Sequence, residues 1–336
     1  MPEYSLAAYT IRVRPRMSSR SSESYLPLDN FDGAASDLAP FLYAFLNGLT
    51  VTPYQHKDEG KYLIAEAVRA EDRSLYATVR SGSHGYQSTL RDVDTHQDTY
   101  ERQPNEAELI PLRNLFIVPH NSLAGIFLTE RVGVRGLKSS MDHILTRTFG
   151  ARYPGYALEL SPLAPEAAVK ASIEEGELKK IRLVRYGIPS DVADQYNLGS
   201  HEEELGIMEL VLKPDRALAF PKQKVRDALN DNSLPAMLEI RGLDYHDIKL
   251  EVKVGKSMRT LTVTQERPPR VTFPLPENKK IPSGRPTDEA VYEVASEVIE
   301  ELARDLGIRE SDYVGTEFFW TAELLARKLV IPNDES

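Results

Sequence analysis

Leu112-Arg-Asn-Leu-Phe-Ile-Val118 and Leu123-Ala-Gly-Ile-Phe-Leu-Thr129 are two short, almost continuously apolar runs of branched and aromatic residues, separated by Pro119-His-Asn-Ser122. Runs of this length bounded by turn formers predict a buried β-hairpin with a four-residue loop. The chain then passes through a glycine-spaced basic turn, Glu130-Arg-Val-Gly-Val-Arg-Gly-Leu-Lys138, into Ser139-Ser-Met-Asp-His-Ile-Leu-Thr-Arg-Thr-Phe149. That last stretch predicts a helix, with Ser139 placed to cap it and Asp142 in its first turn.

Working outward toward the N-terminus, residues 4–16 end in Ile11-Arg-Val-Arg-Pro-Arg16. A period of two puts Arg12, Arg14 and Arg16 on one face of a strand, and Pro15 argues for a sheet edge. Residues 17–35 predict a loop. Pro40-Phe-Leu-Tyr-Ala-Phe-Leu-Asn-Gly48 predicts a buried helix with glycine just past its end. A second hairpin is expected over 61–69 and 74–80. Residues 81–108, polar and acidic, predict one long connection, a length that is usually functional or disordered.

Tyr153-Pro-Gly155 marks the first expected boundary. Beyond it the predicted order is strand 156–160, helix 165–175, strand 178–186, strand 205–213, a helix near 221–230 and strand 236–241. This is the β-α-β-β-α-β order of ferredoxin-like domains. A further hairpin is expected over 247–254 and 258–265. Six prolines within 266–286 indicate a linker. After it, Thr287 caps a helix whose Val291, Val294, Val298, Ile299, Leu302 and Leu306 keep one face apolar, and Gly307 ends it. A last helix is expected over about 316–329, with Phe318-Phe-Trp320 either packing it on the helix before or serving as a partner patch. The expected fold is therefore α+β. It has an N-terminal domain over 1–154, a ferredoxin-like domain with an extra hairpin over 155–268, a linker over 269–286 and C-terminal helices over 287–336.

Composition narrows the classes of function. The chain has 336 residues, a formal charge of −10 and no cysteine. Disulfides, thiolate metal sites and cysteine nucleophiles are excluded. The first residues lack the basic and apolar segments of a signal peptide, and no apolar run approaches a membrane span, so a cytoplasmic location is the expectation. Phosphate loops, dinucleotide fingerprints and nucleophile elbows are absent.

Asp247-Ile-Lys-Leu-Glu251-Val-Lys253 resembles, over these few residues, the Glu-x-Lys of metal-dependent nucleases of the PD-(D/E)xK type. The resemblance implies Glu251 as a metal carboxylate and Lys253 as the group that positions the attacking water. Asp231, Glu239 and Asp244 are the available second carboxylates. The plainer alternative is the solvated face of an alternating strand. His84 and His96 flank the acidic loop and could hold a metal with Asp92 or Asp94.

Basic residues fall in clusters: Arg12, Arg14, Arg16 and Arg20; Arg131, Arg135 and Lys138; Lys179, Lys180, Arg182 and Arg185; and Lys249, Lys253, Lys256 and Arg259. On an acidic chain such clusters bind a nucleic-acid backbone only if they converge on one face. Strand 205–213 lacks the aromatics of an RRM surface. The leading expectation is a non-enzymatic interaction protein, acting on nucleic acid or within a protein complex or homo-oligomer, without a membrane partner. A role in a bacterial defence system belongs to the same expectation, although no motif carries it. The alternatives are the nuclease, the one case that requires Mg2+, and a structural oligomer assembled through the C-terminal helices. No cofactor is expected otherwise.

Overall fold

The computed structural model describes residues 3–17, 24–56, 60–133, 135–162, 176–186, 207–214, 220, 222–230, 234–238, 245, 247–254, 257–264, 270–316 and 318–332. The fold is mixed α+β with antiparallel sheet as its dominant element. The chain divides into two compact units, Met1–Ser161 with Ile299–Ser336, and Pro162–Val298.

In the first unit, strand β1 (Tyr4–Pro15) precedes helix α1 (Leu38–Leu49) and the strands β2 (Tyr54–His56), β3 (Lys61–Glu71) and β4 (Ser74–Ser83). A small two-stranded sheet follows, β5 (Ser88–Arg91) with β6 (Asp98–Arg102). Then come β7 (Glu108–Ile117), β8 (Gly125–Val132), α2 (Lys138–Arg152) and β9 (Tyr156–Pro162). The sheet runs β2-β3-β4-β7-β8-β1, antiparallel throughout, and β9 also pairs with β1.

The predicted central hairpin is β7–β8, with Phe116 opposite Phe127. Their rings stack at 4.3 Å and both side chains are fully buried. Strands this apolar need cover on both faces. Helix α1, apolar almost all round, and Met141, Ile144, Leu145 and Phe149 of α2 share one core cluster with the sheet.

Several local expectations are corrected. Helix α2 starts at Lys138 with Leu137 at its N-cap and no side-chain cap bond. Asp142 instead pairs with Lys138 at 2.7 Å, one turn along. Helix α1 is capped by Asp37, and Gly48 lies inside it. A Cβ there would collide with the carbonyl of Leu329, so the glycine admits a crossing segment rather than ending the helix. Strand β1 is no bare edge: Tyr4–Ile11 pair with β8, and Pro15 is its last residue, where a missing N–H forfeits little. The 81–108 connection contains β5 and β6, hidden from the sequence because their residues alternate without an apolar face.

The second unit contains β10 (Glu177–Tyr186), β11 (Ile207–Leu212), α3 (Lys222–Asn230), α4 (Leu234–Met237), β12 (Asp247–Val254), β13 (Ser257–Thr264) and β14 (Arg270–Pro274). Its sheet runs β11-β10-β12-β13-β14, antiparallel throughout. The hairpins β10–β11 and β12–β13 match the expected elements. The ferredoxin-like pairing is not formed by the described strands. Tyr156–Pro162 joins β1 and β10 lies between β11 and β12; of the strand expected over 236–241, residues 236–237 end helix α4 and residues 239–241 lie outside the described residues. The expected helix 165–175 lies outside the described residues. Strand β14 occupies the first part of the proline-rich stretch expected as linker.

Helix α5 (Asp288–Asp305) follows the predicted pattern, with Val291, Val298, Ile299 and Leu302 buried. Thr287 Oγ1 accepts from the Ala290 amide, and Gly307, at φ +69°, ends the helix as Ile308 N–H donates to the Ala303 carbonyl. The last helix is only α6 (Ala322–Ala326). Among the described residues no helix is long and apolar enough to cross a membrane.

Candidate functional site

Glu251 and Lys253 lie on β12, whose register with β10 sets Glu251 opposite Lys180 and Arg182 opposite Lys249. The Glu251 carboxylate is buried and receives Lys180 Nζ at 2.8 Å and Arg182 Nε at 3.1 Å. Glu209 on β11 continues the pattern, facing Arg182 at 3.4 Å and Lys249 at 3.9 Å. Opposite charges directly across strands stabilise a sheet, and two cations already neutralise Glu251. Lys253 is exposed. Asp231, Glu239 and Asp244 lie outside the described residues, and among those described no three His, Asp or Glu side chains converge as a metal set.

The basic clusters are brought together less than their spacing suggests. Arg14 pairs with Glu159 at 2.7 Å, and the Arg12 guanidinium lies 4.8 Å from the Tyr25 ring centre. Arg16 is exposed, and its amide donates to Gly155. Arg135 pairs with Glu108 at 3.1 Å, Lys138 with Asp142, and Lys179 with Glu177 at 2.6 Å. Ser5 faces Arg131 in the β1–β8 register. Arg12 therefore lies seven residues, roughly 23 Å, along β1 from Arg131, and Arg16 lies farther still. The first two clusters occupy opposite ends of one strand.

Of the metal candidates, His84 Nε2 lies 3.4 Å from Gln55 Nε2. The Asp92 carboxylate accepts from the amides of Thr95 (2.7 Å) and Asp94 (2.9 Å), which hold its pKa below the usual carboxylate range. The fold also creates two histidine contacts with no signal in the sequence. His56 and His143, 87 positions apart in the numbering, bring their rings to 5.9 Å between centres. His120 Nδ1 meets Asp29 Oδ2 at 2.5 Å, and the same oxygen accepts from the Asn121 amide.

A cleft of about 850 Å³ lies between the start of α1, the end of α2 and the C-terminal segment. Pro40, Phe41 and Ala44 of α1, Tyr153, Phe318, Leu324 and Leu329 supply its apolar walls. Beneath them Arg73, itself buried, grips Asp37 through both terminal guanidinium nitrogens (2.5 and 3.0 Å), donates from Nε to the Val118 carbonyl at 2.7 Å and lies 4.9 Å from the Phe318 ring centre. Trp320 Nε1 donates to the Asp72 carbonyl, so the aromatic cluster packs on the β3–β4 turn and α1 rather than on α5. Arg152, Arg327 and Lys328 line the rim. Arg327 pairs with Glu323, whereas Arg152 and Lys328 meet no carboxylate among the described residues.

No family model matches the chain, and no curated protein does. The cleft is thus characterised by its chemistry alone. Apolar walls, with Asp37 neutralised by Arg73, Asp29 bonded to His120, and Arg152 and Lys328 without a carboxylate partner among the described residues, suit an apolar segment carrying negative charge.

Proposed function

We propose that this chain is a non-enzymatic interaction protein that works within a protein complex, receiving an acidic, partly apolar protein segment in the cleft beside α1. The observation that carries this reading is the distribution of cations. Those of the strand clusters are largely committed to carboxylates of their own unit, while Arg152, 5.6 Å from the Tyr153 ring centre, and Lys328 meet no carboxylate among the described residues and line apolar walls. A net charge of −10 also weakens long-range attraction to a polyanion.

The nuclease reading draws less support, since Glu251 sits within a ladder of opposite charges. The test is a gel assay with labelled single- and double-stranded DNA and RNA, at low and moderate salt, with and without magnesium or manganese. Free nucleic acid in every lane is the expected result. Salt-sensitive retention would replace the protein-complex reading with a nucleic-acid one. Metal-dependent cleavage that disappears in Glu251→Gln would replace it with the nuclease.

A further inference from the structure

The β5–β6 hairpin is a second feature without an internal role. It pairs Leu90 with Tyr100 and Arg91 with Asp98, and its residues are exposed from Thr89 to Glu101 except the half-buried Asp92. Leu90, Val93 and Tyr100 are all open to solvent, Val93 at 81% exposure. An isolated two-stranded hairpin is marginal in water. This one is held at its base, where buried Arg102 lies 4.0 Å from the Tyr86 ring centre and within 3.4 Å of the carbonyls of Ser83 and Tyr86. Its tip is a turn nucleated by Asp92, and residues 91–98 carry three aspartates against one arginine. The result is an ordered arm with an apolar, acidic tip.

The tip has the chemistry that the cleft lacks, and the two lie at opposite ends of the same unit. Arg73, which grips Asp37 under the cleft, immediately precedes β4, whereas the arm departs just after Ser83 at the other end of that strand. Ten strand residues separate them by roughly 30 Å. With Val93 exposed, the arm does not fill its own cleft. We propose that the arm of one copy inserts into the cleft of a second copy, placing Val93 against the Phe41 and Tyr153 wall and Asp92 and Asp94 near Arg152 and Lys328. Insertion in one direction builds head-to-tail rings or filaments, and reciprocal insertion closes a two-fold dimer. This proposal rests on the protein-complex reading and names the partner as a second copy of the chain.

The test is sedimentation of the full chain over a concentration series, alongside an arm variant (Val93→Ser with Asp94→Lys) and a cleft variant (Arg152→Glu with Lys328→Glu). All four positions are exposed, so each variant should retain the parent's circular dichroism. The expected result is a parent mass that grows with concentration and falls at high salt, and two variants that stay monomeric. A 1:1 mixture of the variants is then expected to form a dimer and nothing larger, because one retains an intact cleft and the other an intact arm. A parent that stays monomeric to about 1 mM, where even weak contacts populate, overturns the proposal. So does association that survives in both variants, or a mixture that remains monomeric. Nucleic-acid retention or cleavage in the gel assay removes the protein-complex reading itself, so the two failures are distinguishable.

Discussion

Two buried arginines organise the first unit. Arg113 binds Glu130, which is 0% exposed, through its backbone amide (3.1 Å), Nε (2.9 Å) and a terminal nitrogen (3.1 Å). Arg73 does more, because its partner Asp37 also caps α1 by accepting from the Ala39 amide. Substituting Arg73→Met strips that carboxylate of its guanidinium partner and the Val118 carbonyl of its side-chain donor. Breaking a buried pair costs about 3–5 kcal/mol, read as a lower urea midpoint at an unchanged slope. Adding Asp37→Asn, which keeps a cap acceptor and removes the stranded charge, should recover part of the loss. Neither pair was legible in the sequence. Arg73 reads there as one residue of the turn Ala70-Glu-Asp-Arg73, and only the return of Tyr313, Phe318 and Trp320 to that turn makes it interior. The cap expected at Ser139 failed for a related reason: the cap position falls two residues earlier, at Leu137, and the first turn spends its charge on Lys138–Asp142.

Among the elements, those with apolar periodicity were legible and those held by polar contacts were not. The β7–β8 hairpin and α5 carry their burial in the sequence, since packing decides them. The β5–β6 arm is instead specified by hydrogen bonds that no spacing reveals. Its order should therefore follow pH. Thr95 and Asp94 amides lower the Asp92 pKa, and Tyr100 together with the Gln103 amide lowers that of Glu106. A carboxyl whose pKa falls on folding stabilises above its unfolded value and loses that contribution as pH drops from about 4 through the folded value. Tyr100, raised chiefly by its bond to Glu106, acts in the opposite sense, stabilising until pH rises past about 10. The amides of Thr95 and Gln103 are thus expected to exchange slowest between these limits and to lose protection first on the acid side. Protection that stayed flat down to pH 3 would sink this account. Asp92→Ala should remove the acid dependence at Thr95 alone.

At the scale of the whole molecule, the sequence indicates α+β architecture but not which distant segments complete which unit, because the bonds that decide this are mostly made by backbone. Residues 309–332 show the point. Their described members form only a short 3-10 turn at Glu310–Asp312 and the five-residue α6, yet Tyr313 and Ile331 are buried in the first unit. The Leu329 amide donates to the Ala44 carbonyl, the Arg73 amide to Tyr313, and Asn47 Nδ2 to the carbonyls of Leu325 and Arg327. A segment so bound is structural as well as a wall of the cleft. Deleting residues 309–336 should therefore destabilise the first unit by several kcal/mol, since Ile331 alone contributes about 2 kcal/mol of apolar burial and Asp72, Ala44 and Arg73 all lose partners. The only tryptophan, Trp320, lies 5.1 Å from the Tyr43 ring centre at a tilt of 45° and reports on this packing. In the full chain its emission should shift in the same denaturant transition that exposes the first unit's core. A shift that comes well before that transition would mean that the segment is a detachable strap, and deletion would then leave the unit's stability unchanged.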